Sequence, residues 1–142
     1  MGCATVEASV RPDWDVVWLS DIPWPGLWQR PQELATRFPD SVRILFVEPW
    51  TLGHPAALRP VEAAAGVRRV SFPFLPLHAR SLRLRRAAYA LGDSGLATAA
   101  LFAMQRGWAR GLARFLRPGA RRLALVQNFM AAPLLGALRP ER

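Results

Sequence analysis

The chain has 142 residues, 51% of them hydrophobic, which suits one domain with a buried core and excludes a disordered tail. Its one cysteine, Cys3, excludes an internal disulfide and a four-cysteine metal site, and fits a reducing compartment. The formal charge is +9 and every basic residue is arginine, a usage that genomic base composition alone can produce.

Met1 to Trp14 has no basic stretch followed by an apolar run, so a cleavable signal peptide is not expected. Val6 stands where myristoylation needs Ser or Thr, which sets aside lipidation at Gly2. Residues 1–13 read as a flexible N-terminus. The domain proper is expected over 14–142.

Asp15-Val-Val-Trp-Leu-Ser20 is a short apolar run rich in β-formers and reads as a buried strand. Asp21 to Gly26 is a loop punctuated by Pro23, Pro25 and Gly26. A helix to about Phe38 follows, with Leu27, Pro31, Leu34, Ala35 and Phe38 spaced for one apolar face. Pro31 is tolerated only in the first turn, so this helix starts no earlier than about Trp28.

Val42–Val47 is the second strand, ended by Glu48-Pro49. Residues 50–66 read as a loop with room for one short helical piece. Val67–Phe72 is the third strand, Ser81–Leu91 a helix, Gly95–Leu116 a longer helix, Leu123–Gln127 the fourth strand and Met130–Leu138 a closing helix. The order β-α-β-β-α-α-β-α predicts an α/β fold. Its sheet is mainly parallel, of about four strands, with helices on both faces.

In the long helix, Ala97, Leu101, Met104, Trp108, Leu112 and Phe115 fall on one side, which reads as core packing. Arg106, Arg110, Arg114 and Arg117 fall on the other. The plain reading of that arginine stripe is a solvated face. The functional reading is docking onto an anionic membrane surface. The distribution of charge favours an anionic partner: residues 1–62 hold five arginines against eight acids, and residues 63–140 hold thirteen against Asp93 alone. Nucleic acid is not the expected partner, because no aromatic residues interleave with the arginines for base stacking. The longest apolar stretch, Ala87–Gln105, contains Gly92, Asp93 and Gly95 and is a poor membrane span.

Ligands of open parallel sheets bind outside the carboxyl ends of the strands. The segment expected there is dense in groups that suit a sugar. Trp24 and Trp28 offer flat apolar faces for a pyranose ring. Asp21, Gln29, Arg30 and Gln32 offer donors and acceptors for hydroxyls, and Arg30 at a helix start also suits a phosphate. The competing reading is structural, with tryptophans sealing the helix onto the sheet. Glu48 has two readings, a ribose-binding acid or an acid capping a loop. The second is preferred, since the first βα turn has no Gly-x-Gly-x-x-Gly. His54 and His78 lie in no metal-ligand spacing, and no metal is expected. Nor is there a Gly-x-Ser-x-Gly elbow, a Walker loop or His-Glu-x-x-His.

The run from Trp18 to Ala35, Trp-Leu-Ser-x-Ile-x-Trp-x-x-Leu-Trp-Gln-Arg-Pro-Gln-x-Leu-Ala, resembles the opening of bacterial GT-B glycosyltransferases. Arg43-Ile-Leu-Phe-Val-Glu-Pro49 is similar to that family's second strand and its exit. The resemblance implies a partial Rossmann-like domain that forms the acceptor side of an enzyme with two such domains. The enzyme moves a sugar from a nucleotide-sugar donor to a cell-envelope glycan or glycolipid. It also implies that the second domain, in the same chain or a separate one, holds most of the donor site. This chain alone would then bind no cofactor and be inactive. On the match, Gln29, Arg30 and Gln32 are expected to line the acceptor cleft. Asp21, Trp24 and Trp28 join them by position, and so does Asn128 after the fourth strand. No catalytic residue is carried over. The expected location is cytoplasmic, peripheral on the inner face of the membrane. The alternative is a non-catalytic α/β remnant or binding module.

Overall fold

A computed structural model describes residues 13–25, 28–50, 56–72, 81–128 and 133–138. The expected flexible N-terminus up to residue 12, both histidines and the expected first turn of the closing helix lie outside the described residues. The elements are β1 (Trp14–Leu19), α1 (Arg30–Ala35), β2 (Val42–Pro49), β3 (Val61–Ala64), β4 (Val67–Phe72), α2 (Leu82–Asp93), α3 (Gly95–Ala113), β5 (Arg121–Val126) and α4 (Pro133–Leu138). They form an α/β fold with one five-stranded sheet in the order β3-β4-β2-β1-β5. β1, β2, β4 and β5 are parallel, and β3 runs antiparallel on the β4 edge.

The sheet therefore has one strand more than the sequence predicts. The extra strand, Val-Glu-Ala-Ala, lies in the segment read as a loop. Its composition carries little strand signal. The turn after it decides its state. Gly66 takes φ +71°, which a side chain disfavours, and its carbonyl accepts from the Ile44 N–H at 2.8 Å. That turn folds residues 61–64 back onto β4.

The central strands are apolar on both faces, as strands covered on both sides must be. On one face Val17, Leu19, Leu45, Val47, Val70 and Phe72 pack under Ala109 and Leu112 of α3, Leu116 beyond it, and Leu134 and Leu138 of α4. On the other, Val16, Trp18, Ile44, Phe46 and Val67 pack under Trp24 of the loop after β1 and Ala35 of α1. Fully burying a side chain such as Phe46 or Phe72 contributes about 1.5–3 kcal/mol.

Two helices differ from expectation. α1 spans six residues, with Pro31 in its first turn as required, and it buries Gln32 and Ala35 while Leu34 and Phe38 are exposed. Pro39 limits it, because the residue before a proline is pushed out of the helical region. α3 buries Gln105, Ala109 and, as expected, Leu112, but leaves Met104 of the expected stripe exposed, and Phe115, just past the helix, is exposed too. Trp108 is half-buried against Phe72, ring centroids 4.5 Å apart. α2 and α3 meet at a 90° break at Ser94, whose hydroxyl accepts from the Ala97 N–H. Among the described residues no single helix is long and apolar enough to cross a membrane.

Candidate functional site

The carboxyl ends of the four parallel strands lie at one edge of the sheet, with β2 and β4 running two residues past β1 and β5, and the strand order reverses at β1: β2 and β4 lie on one side of it and β5 on the other. In open α/β sheets the crevice outside the carboxyl ends at such a reversal is where ligands bind. The loop after β1 and the exit of β5 border that crevice. The N–H groups of Gln127 and Asn128 both donate to the Leu19 carbonyl, at 2.9 and 3.1 Å. The Trp18 indole N–H donates to the Gln127 side chain at 2.9 Å, which ties the two strand ends together.

The loop beneath the crevice is held from three directions. The Ser20 hydroxyl accepts from the Ile22 N–H and donates to the Ile22 carbonyl, 3.1 and 3.0 Å. Gln32, fully buried on α1, donates to the Pro23 carbonyl at 3.2 Å and accepts from the Gln29 N–H at 3.1 Å. Glu48, at the end of β2, accepts from the Trp24 N–H. Its other oxygen accepts from the Ser71 hydroxyl at 2.9 Å and from the Arg69 guanidinium at 2.8 Å. Ser71 in turn accepts from the Ala57 N–H at 2.8 Å. A carboxylate 2% exposed is tolerable only when its lone pairs are used in this way.

These contacts divide the residues named from the sequence. Gln32 and Trp24 belong to the framework and not to an open cleft. Gln32 is enclosed and spent on the loop. Trp24 is buried, edge-on to Phe46 with centroids 5.0 Å apart and to Trp28 at 5.7 Å. Asp21, Trp28, Gln29 and Arg30 are exposed. Trp28 is held by its indole N–H, which donates to Glu33 at 2.8 Å. That bond, and then Arg37, holds the Glu33 carboxyl below the usual carboxylate range. Arg30 makes no ion pair among the described residues. Asn128 is half-buried on the far wall, beside Leu19. Glu48 acts as the loop cap that the sequence favoured over a ribose acid. Its partners Arg69 and Ser71 were not anticipated.

The arginine stripe is also divided. Arg106, Arg110 and Arg114 are exposed. Arg117 is not available to a headgroup, contrary to expectation. It follows the end of α3 and turns in at the amino end of the sheet. There it pairs with Asp15 and Asp13, both at 2.8 Å, and donates to the carbonyls of Trp14 and Ser41 at 2.6 and 3.1 Å.

Two recesses among the described residues lie elsewhere. One of about 210 Å³ opens at the amino ends of the strands between Arg43, Arg68 and Phe115. One of about 410 Å³ lies between Leu58 and Trp108. Among the described residues, the crevice at the carboxyl ends has one ledge, the loop after β1 held by Ser20, Gln32 and Glu48. A group laid on it would meet Trp28, Gln29, Arg30 and Asp21 from one side. Among the described residues no group of three or more His, Cys, Asp or Glu could hold a metal ion. The chain matches no family model, no curated protein and no solved structure.

Proposed function

We propose that this unit is the Rossmann-like, acceptor-side part of a GT-B glycosyltransferase, holding a glycan or glycolipid acceptor on the ledge while a second domain brings the nucleotide-sugar. The observation that carries the reading is the exposed set Trp28, Gln29, Arg30 and Asp21 beside the strand reversal, over a loop fixed by Glu48, Ser20 and Gln32. An indole face suits the apolar side of a sugar ring, and the carboxylate, amide and guanidinium groups of Asp21, Gln29 and Arg30 suit its hydroxyls. Arg30 suits a phosphate that links sugar to lipid.

The test is nucleotide release from nucleotide-sugars by the protein at its native length, taken from its own cells. Arg30→Ala should raise the acceptor KM about tenfold or more, because a hydrogen bond to a charged group contributes about 1.5–3 kcal/mol. The donor KM should stay unchanged. No nucleotide release from any nucleotide-sugar, or a change confined to the donor KM, would overturn the reading.

A further inference from the structure

We infer that the α2–α3 elbow is an interfacial anchor that lies on an anionic membrane surface. The inference is independent of the sugar-transfer reading. α2 has twelve residues, about 18 Å of helix, and buries one side chain, Ala88. The first ten residues of α3 bury none. The elbow therefore stands clear of the sheet while carrying large apolar groups. Leu82, Tyr89 and Leu91 are about half exposed, and Leu96, just past the break, is 85% exposed. Large apolar groups exposed in this number on one elbow mark a docking site.

The pattern on α2 identifies the partner. Leu82, Arg85, Arg86 and Tyr89 stand at i, i+3, i+4 and i+7, hence on one outward face, and all four are exposed. Leucine and tyrosine between arginines is the pattern of a helix lying at the headgroup level. The rings and aliphatic groups enter the acyl boundary, and the arginines reach up to phosphates. Along α2, three arginines (83, 85 and 86) stand against one acid, Asp93. A surface of negative headgroups complements that charge. Neither helix alone is long and apolar enough to cross a bilayer, only the two together are, and their 90° bend suits the pair to lying at the interface. This surface differs from the arginine stripe of α3, whose last member, Arg117, is engaged with Asp13 and Asp15.

Flotation of the full chain with vesicles tests this. One set is phosphatidylcholine alone, and the other contains phosphatidylglycerol. The expected result is binding to the anionic vesicles only. Arg85→Glu with Arg86→Glu should weaken it at least about tenfold, as should Leu82→Ser with Tyr89→Ser. Arg110→Glu with Arg114→Glu on the stripe should weaken it less. All six positions are exposed, and circular dichroism checks that each variant folds; either elbow pair alone suffices for the test. The inference is overturned if anionic vesicles are not bound, or if both elbow pairs bind as the parent does. It is also overturned if the stripe pair alone loses binding, or if the elbow instead joins two copies of the chain, seen as a dimer that Leu82→Ser with Tyr89→Ser disperses without any vesicle binding.

Discussion

Glu48 shows how one side chain fixes the geometry of a ledge it does not line. Parity along β2 puts it on the same face as Ile44 and Phe46, so it points under the loop after β1 and not into solvent. Glu48→Ala would leave the Arg69 guanidinium, the Ser71 hydroxyl and the Trp24 N–H without their common acceptor. The expected loss is about 3 kcal/mol, a large share of the stability of a small domain. Glu48→Gln keeps an acceptor for Trp24 and should cost less. Urea midpoints at unchanged slope measure both. An Ala variant as stable as the parent would mean that the loop is held without this clamp. The same residues show what the sequence could and could not tell. Glu48 was readable as a loop cap because a polar residue ended an apolar strand. Gln32 was not readable as framework. A glutamine at the start of a helix looks the same whether it faces a ligand or the loop in front of it, and only the direction of α1 across the sheet separates the two.

At the scale of elements, the sequence located most strands and helices but only part of the buried side of α3. Its first ten residues are apolar nearly all round, so the periodic contrast that would select a face is weak. Packing on β1, β2 and β4 selected the side with Ala109 and Leu112, and small residues let the helix sit close. β3 was missed for the opposite reason: its four residues have no strand pattern, and a turn at Gly66 makes the strand. The end of α3 is fastened by Arg117. Its pairing with Asp15, which is 1% exposed, joins the helix exit to the start of β1. Arg117→Met should cost about 3 kcal/mol, because it strands a buried carboxylate. Arg110→Met, on the exposed part of the same helix, should stay within about 0.5 kcal/mol. Chemical denaturation of the two variants side by side checks the contrast. Equal effects would mean that the Asp15 pair adds nothing beyond a surface charge.

For the molecule as a whole, the sheet edges set the behaviour in solution. The β3 edge is short and carries Glu62, which blunts it against pairing. The β5 edge is longer. Its register on β1 places Leu123 with Val16 and Val126 with Leu19, so the two side chains lie on opposite faces. Both are more than 40% exposed. Among the described residues no strand lies beyond β5. Backbone donors and acceptors that have no strand partner among the described residues, flanked by apolar side chains on both faces, are a template for another strand. Arg121 and Arg122 guard only its first two positions. The chain should therefore self-associate as its concentration rises. Val126→Lys with Leu123→Lys should return it to a monomer without unfolding it, because neither side chain is buried in the core. Sedimentation velocity over a concentration series distinguishes the outcomes. A parent chain that stays monomeric throughout would show that the β5 edge is already protected, and the lysine pair would then change nothing.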